Sequence, residues 1–286
     1  MDYFHRTSMF GKIVVITGAT SGIGRIAAEQ LAVQGARIVI VARDRRRADG
    51  TVERLRQVAP QIAHRAYIAD LLSLAETKQV GARIAAEEPR IDVLINNAGN
   101  IFATRAMTVD GLERTLALNH IAYFVLTHQL RERFIASAPA RIVNTASHAH
   151  HGHYLDFDDL QMQKNHRALT AYGRSKLANI LFTRELARRL VGTGVTANCL
   201  HPGFVATGLG QRDGAIFGAM VRLSMLFAAN PERGARTIVY LAAASDVASM
   251  TGRYFIDCHE AVPSRTARDD AAARRLWDES VRLARL

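Results

Sequence analysis

Apolar, β-branched runs and helical patterns take turns along almost the whole chain. KIVVITG (12–18), ARIVIVAR (36–43), HRAYIAD (64–70), IDVLINNAG (91–99), ARIVNTAS (140–147), GVTANCLHPG (194–203) and GRYFID (252–257) read as seven strands. Helical stretches separate them, over about 22–34, 46–58, 73–87, 110–136, the run that carries Tyr172, 231–243 and 266–284. Strands that alternate with helices pair in parallel and are covered on both faces. The expected fold is therefore α/β, a doubly wound parallel sheet of about seven strands. No linker and no repeat interrupts residues 1–286, so a single domain is expected. Two long segments, 148–167 and 208–230, fit no element, and such segments in a compact domain are usually functional loops. The second is rich in Leu, Ile, Phe and Met and reads as a lid over a lipophilic substrate; 266–286 reads as a C-terminal helical tail.

The first strand runs into TGATSGIGR (17–25), in which Gly18, Gly22 and Gly24 are spaced G-x-x-x-G-x-G. Glycines let the backbone approach a pyrophosphate closely, and the helix that follows offers unpaired N–H groups and the positive end of its dipole. Gly18, Ser21, Gly22, Ile23 and Gly24 are thus expected to bind a dinucleotide, which makes the sheet Rossmann-type. An acidic residue about 20 positions on selects NAD, and Asp44 has that spacing from Gly24. The end of the second strand, however, falls at Ala42, followed by Arg43. A small residue followed by arginine suits the 2′-phosphate of NADP(H), with Arg25 in reach to assist. NADP(H) is favoured and NAD(H) stays open.

AYGRSKLANI (171–180) puts Tyr172 one helical turn before Lys176. Together with TGATSGIG, NNAG at 96–99 and Ser147 at the end of the fifth strand, this pattern resembles the short-chain dehydrogenase/reductase family over nearly the whole chain. LNHIAYFVLTHQL (118–130), RIVNTASHAHH (141–151), YGRSKLANILFTRELARRL (172–190), FIDCHE and ARRLWDES resemble its retinol dehydrogenase branch. Hydride transfer between a nicotinamide and a carbonyl needs one proton delivered to, or taken from, oxygen. A tyrosine with a pKa near 10 is a poor base at neutrality, and the Lys176 charge is expected to lower it. Ser147 is expected to hydrogen-bond the substrate oxygen. The resemblance implies that Asn119 positions a water in a proton relay and that Lys176 also binds the nicotinamide ribose. It further implies that Asp70 and Leu71 meet the adenine, that Asn97, Ala98 and Gly99 pass the adenosine ribose, and that Pro202, Gly203, Val205 and Thr207 hold the nicotinamide end.

The residues point to an enzyme that reduces a lipophilic aldehyde or ketone, or runs the reverse reaction. The competing expectation is an idle NADP(H)-binding regulatory or scaffold protein of the same fold, against which the intact Ser147–Tyr172–Lys176 set speaks. A formal net charge of +11 raises the question of nucleic acid, but the basic residues are scattered, and the densest cluster is Arg43, Arg45, Arg46 and Arg47. Two cysteines give no disulfide framework, and no apolar run is long enough for a signal peptide or a membrane span, so a reducing cytoplasm is expected. Homo-oligomerisation stays open. His148, His150, His151 and His153 fall in one loop without a second ligand group and read as the lining of a substrate entrance, so no metal is expected. Cys258–His259–Glu260 reads as a loop after the last strand.

Overall fold

The computed structural model describes residues 8–203 and 231–286. Their strands are β1 (Ile13–Thr17), β2 (Arg37–Ala42), β3 (Arg65–Ile68), β4 (Val93–Asn96), β5 (Ala140–Thr145), β6 (Val195–His201), β7 (Tyr254–Ile256) and β8 (His259–Ala261). They form one sheet in the order β3-β2-β1-β4-β5-β6-β7-β8. The first seven are parallel, and β8 returns antiparallel to β7. The helices are α1 (Gly22–Val33), α2 (Arg45–Val58), α3 (Leu74–Glu87), α4 (Arg114–Leu116), α5 (Ala122–Ala136), α6 (Ala168–Arg189), α7 (Pro231–Ala243) and α8 (Asp270–Ala284). A π-helical turn, Ala117–Ile121, joins α4 to α5.

The period-2 geometry of a strand explains why the apolar runs are unbroken. Ile13 and Val15 of β1 join the core cluster built with α3, α5 and α6, while Val14 and Ile16 join the one built with α1, α2 and α7. A third cluster, with Ala146, Leu177, Leu181, Tyr254 and Leu276, seals α8 onto α6. Trp277 of α8 packs against Phe124 at 4.9 Å and Phe182 at 6.0 Å.

Eight strands stand where about seven are expected. The extra one arises from a two-residue hairpin, Asp257–Cys258, both with positive φ (47° and 65°). Such turns match the twist of the flanking strands, but their usual signal is Asn-Gly or Asp-Gly. Asp-Cys carries no such signal, so Cys258–His259–Glu260 reads from sequence as a loop; the structure makes His259 and Glu260 part of β8. The helix expected from about 110 begins only at Arg114, because the Glu113 carboxylate caps it by accepting from the Thr115 and Leu116 N–H groups, each at 2.8 Å. The stretch 148–167 holds one 3₁₀ turn, His148–His150, and is otherwise irregular.

At the N-terminal edge of the sheet the Asp92 carboxylate, 3% exposed, accepts from the Ile13 N–H at 2.9 Å, Lys12 Nζ at 3.0 Å and Arg90 Nη2 at 2.6 Å. It ties the start of β1 to the start of β4. The two cations are partly solvated, so the main loss on removing the carboxylate is the stranded Ile13 N–H. Asp92→Ala is expected to lower unfolding stability by about 1–3 kcal/mol, read as a lower urea midpoint with an unchanged slope.

Candidate active site

The strand order reverses between β1 and β4, since β2 lies on one side of β1 and β4 on the other. Loops leaving two such strands diverge and open a crevice at their C-terminal ends. The glycine turn, 18–21, leaves β1 there, and Asn97–Asn100 leave β4. Thr17 Oγ1 accepts from the Asn97 and Ala98 N–H groups at 2.9 and 3.0 Å. Asn97 Nδ2 returns to the Thr17 and Gly18 carbonyls at 3.2 and 3.3 Å. A Cβ on Gly24 would lie 2.4 Å from Asn97 Nδ2 and 2.5 Å from the Gly18 carbonyl oxygen. Gly18, at φ +70°, would bring a Cβ within 2.8 Å of Ala98 Cα. The turn is closed by backbone against backbone, which only glycine permits.

Helix α1 starts from this turn without a side-chain cap: Ser21 makes no capping bond, and no acidic residue occupies the first turn. Its first N–H groups, with Gly22 and Ile23 among them, are left for an anion. A dinucleotide pyrophosphate fits this arrangement, because close backbone approach and unpaired N–H groups meet at one point.

β2 ends at Ala42, and Arg43 follows, exposed. Asp44 does not hang free. Its Oδ1 caps α2 by accepting from the Arg47 N–H at 3.0 Å. Arg47, placed by the sequence only in the basic cluster with Arg43, Arg45 and Arg46, reaches back with Nη2 to the Thr20 carbonyl at 3.4 Å. Its signal is the position three residues after a helix-capping Asp. Asp70 lies two residues past β3, where its Oδ1 accepts from the Leu72 N–H at 3.0 Å; Leu71 beside it is buried. Pro202 and Gly203 follow β6 and are partly buried. Val205, Thr207 and the segment 208–230 lie outside the described residues.

β5 ends at Thr145, and Ser147 caps the short turn beyond it, accepting from the Ala149 N–H at 3.2 Å. Helix α6 crosses this point. Lys176 is 3% exposed, donates from Nζ to the Thr145 carbonyl at 2.9 Å, and lies 5.5 Å from the centre of the Tyr172 ring. A Cβ on Gly99 would lie 3.5 Å from Lys176 Nζ and 3.1 Å from Asn119 Oδ1, so the β4 loop reaches the same group. Asn119 stands on the π-helical turn, a local widening that often marks functional sites. Its Oδ1 accepts from the Asn100 N–H at 2.9 Å, and its Nδ2 donates to Ser175 Oγ at 3.0 Å. Ser147, Tyr172, Lys176, Asn119 and Gly99 are thus brought together on one side of the crevice whose other wall is the glycine turn.

The acid–base balance differs from the sequence expectation. Burial pushes the Tyr172 phenol up to about 12, opposed by a hydrogen bond with Ser147. Burial also pushes the Lys176 ammonium down to about 7. Burial thus disfavours the charged form of both groups, and it is the largest influence on the phenol. Tyr123, 1% exposed and unread in the sequence, completes the group: Lys176 Nζ lies 5.9 Å from its ring centre.

The histidines draw together in part. His148 lies 4.4 Å from His151 and 5.7 Å from His201, ring to ring, and His150 lies 4.1 Å from His151. His150 is spoken for: its Nδ1 bonds to the Ser147 carbonyl at 2.7 Å, and its Nε2 accepts from the Ser264 N–H at 3.1 Å. The His153 ring lies on Gly173, where a Cβ would stand 2.2 Å from it. Among the described residues no three His, Cys, Asp or Glu side chains are arranged to hold a metal ion. Tyr154 is open to solvent, whereas Leu155 and Phe157 pack toward the third core cluster, with Arg275 over the Phe157 ring at 4.5 Å.

The family model described as short chain dehydrogenase matches residues 12–215. The chain belongs to the short-chain dehydrogenase family. It is similar to retinol dehydrogenase 13 of Homo sapiens, 40% identical over 283 residues, which span 96% of this chain and 85% of the relative. This likeness sets it in the retinol dehydrogenase-like branch. A crystal structure of a putative uncharacterized protein from Mycobacterium Paratuberculosis superposes with a TM-score of 0.78 at 30% identity, covering 98% of this chain and 95% of that one. A short chain dehydrogenase from Burkholderia cenocepacia J2315, in complex with NADP, superposes with a TM-score of 0.69 at 26% identity, covering 86% and 96%. As an oxidoreductase of this family the protein uses a nicotinamide cofactor, and no helix of the described residues is long and apolar enough to cross a membrane.

The contacts around Gly24 give the cofactor site a direct test. Gly24→Ala drives a methyl group into backbone and is expected to weaken nicotinamide dinucleotide binding at least about tenfold by calorimetric titration. Gly50→Ala, where a Cβ meets nothing within 4 Å, leaves binding unchanged.

Proposed function

We propose that this protein is an NADP(H)-dependent oxidoreductase that interconverts a lipophilic aldehyde or ketone and its alcohol, with Tyr172 as the proton-transfer group. The observation that carries the reading is the meeting of half-buried Ser147 and Tyr172 with buried Lys176 and Asn119, in the crevice that the glycine turn opens. The bound dinucleotide supplies or accepts the hydride at its nicotinamide ring.

The chain's own residues do the rest. In the reducing direction, hydride arrival at the carbonyl carbon leaves negative charge on its oxygen. Ser147 holds that oxygen by a hydrogen bond, and the Tyr172 phenol gives it a proton. A phenol raised by burial is the protonated species at neutral pH, which is the form this step requires. Lys176, seated on the Thr145 carbonyl, faces the phenolate that remains and stabilises it as it takes up charge. Asn119 lies beside Lys176 and holds the β4 loop through Asn100.

The preference for NADP(H) is supported by Arg43 at the strand end and by Asp44, whose carboxylate is engaged in capping α2. The Burkholderia relative, which holds NADP, is consistent with it. A lipophilic substrate is supported by the named relative, since retinol is a long apolar alcohol, and by the apolar composition of 208–230. A panel of carbonyls and alcohols, run with NADPH and with NADH, tests the reading.

Tyr172→Phe keeps the packing and removes the proton. Carbonyl reduction is expected to fall by at least about 10²-fold with NADPH affinity little changed. In the wild type, alcohol oxidation needs the phenolate and is expected to climb with pH toward the raised phenol pKa, while reduction is expected to decline as pH rises through about 7, where Lys176 loses its ammonium. Near-normal turnover in Tyr172→Phe rejects the mechanism. Arg43→Ala is expected to weaken NADPH binding about tenfold or more, with NADH binding untouched, when each is titrated by fluorescence. Equal losses for both nucleotides assign the ribose contact elsewhere.

A further inference from the structure

His120 follows Asn119 in the π-helical turn and is fully buried. Its Nδ1 faces Asn179 Oδ1 at 3.3 Å, and its Nε2 faces Ser280 Oγ of α8 at 2.9 Å. The hydrogen positions follow from counting donors. Asn179 Nδ2 spends its two hydrogens on the Asn119 carbonyl at 2.9 Å and the Thr145 carbonyl at 3.2 Å. Both partners are acceptors only, so the amide cannot be turned round, and its oxygen must point at the imidazole. Nδ1 therefore carries a proton. Burial holds the imidazole neutral, with a pKa pushed down to about 4. Nε2 is then the bare nitrogen, and the Ser280 hydroxyl donates to it instead of to the Leu276 carbonyl 2.7 Å away. That carbonyl keeps the backbone N–H of its own helix.

The same Thr145 carbonyl accepts from Lys176 Nζ. A continuous set of hydrogen bonds thus runs from Ser280 through His120 and Asn179 to the Asn119 and Thr145 carbonyls, and so to the seat of Lys176. We propose that His120 is a positioning residue of the catalytic centre: through Asn179 it fixes the Thr145 carbonyl, on which Lys176 rests, together with the Asn119 carbonyl, and α8 takes part through Ser280. The proposal rests on the reading of Tyr172 and Lys176 as the proton-transfer pair. Among the described residues the His120 ring meets Phe182 edge-on at 5.8 Å, and its polar contacts are Asn179 and Ser280, both uncharged.

Two measurements test it. In ¹⁵N NMR of the imidazoles, His120, assigned by loss of its signals in His120→Asn, is expected as the neutral Nδ1–H tautomer, unchanged down to about pH 5. Ser280→Ala shifts its Nε2 resonance. An Nε2–H tautomer overturns the network without any reference to turnover. In kinetics, at a temperature where thermal unfolding finds every variant folded, His120→Leu is expected to lose about tenfold in kcat, with KM for nucleotide and substrate changed less than about threefold. His120→Asn, which keeps an N–H near the Nδ1 position, recovers most of that loss. The double variant His120→Leu/Asn179→Ala falls no further than Asn179→Ala alone. Full kcat in His120→Leu beside a dead Tyr172→Phe overturns the positioning role and leaves the functional reading standing. Retained turnover in Tyr172→Phe overturns the functional reading itself. Should His120→Leu fail to fold, Ser280→Ala decides the matter together with the tautomer: a loss of about threefold in kcat with KM unchanged is expected, and full kcat overturns the positioning role.

Discussion

Where β1 and β4 part, two backbone N–H groups lose the strand partners they would otherwise have. The Thr17 hydroxyl takes both, and the Asn97 side chain returns bonds to the Thr17 and Gly18 carbonyls. Thr17 itself is 1% exposed. A valine of the same shape would take the acceptor from two part-buried donors, at a cost of about 1 kcal/mol each. These bonds hold the glycine turn and the β4 loop at a fixed separation. That separation defines the crevice, aims the uncapped end of α1, and carries Gly99 to the side of Asn119 and Lys176.

On the far wall the chemistry depends on burial more than on charge pairing. Taking Tyr172 and Lys176 out of water moves their pKa values in opposite senses, up to about 12 and down to about 7. Each shift favours the neutral form, so the pair sits in a low-charge state that a developing negative oxygen would reverse. A negative charge on the phenolate oxygen draws the Lys176 proton into place, and an ammonium so placed stabilises the phenolate. The two groups are tuned toward a change in charge, which is what proton transfer at a carbonyl demands. The fixed Thr145 carbonyl and the buried hydrogen bonds behind it keep Lys176 from relaxing elsewhere while that happens.

Much of this could be read in the chain before its fold was known. Unbroken apolar runs imply parallel strands with two covered faces, and β2 ends at Ala42 as the sequence leads one to expect. The Y-x-x-x-K spacing and Ser147 at a strand end lie together in space as their positions on helix and strand require. What stayed illegible has physical causes. An eighth strand hides in an Asp-Cys turn that lacks glycine. Helix α4 starts late because the capping carboxylate of Glu113 lies three residues beyond the point where the apolar pattern suggested a start. The sign of the Tyr172 shift depends on depth, and spacing along a helix carries no information about depth. His120, Asn179 and Ser280 lie far apart in the sequence, and nothing local marks them as partners. His201 likewise joins the histidine group only through the adjacency of β6 and the loop after β5.

The short return strand β8 has a bearing on how the molecule meets others of its kind. A parallel sheet that stopped at β7 would show a row of unsatisfied N–H and C=O groups to any passing strand. Instead the Asp257–Cys258 turn folds three residues back along it. His259 and Glu260 are exposed, and Arg253 reaches across from the start of β7 to pair with Glu260 at 3.1 Å. A foreign strand arriving here finds a rim three residues long, charged and already crossed by an ion pair. So small a rim gives little template for sheet extension, and it guards this flank against edge-to-edge aggregation.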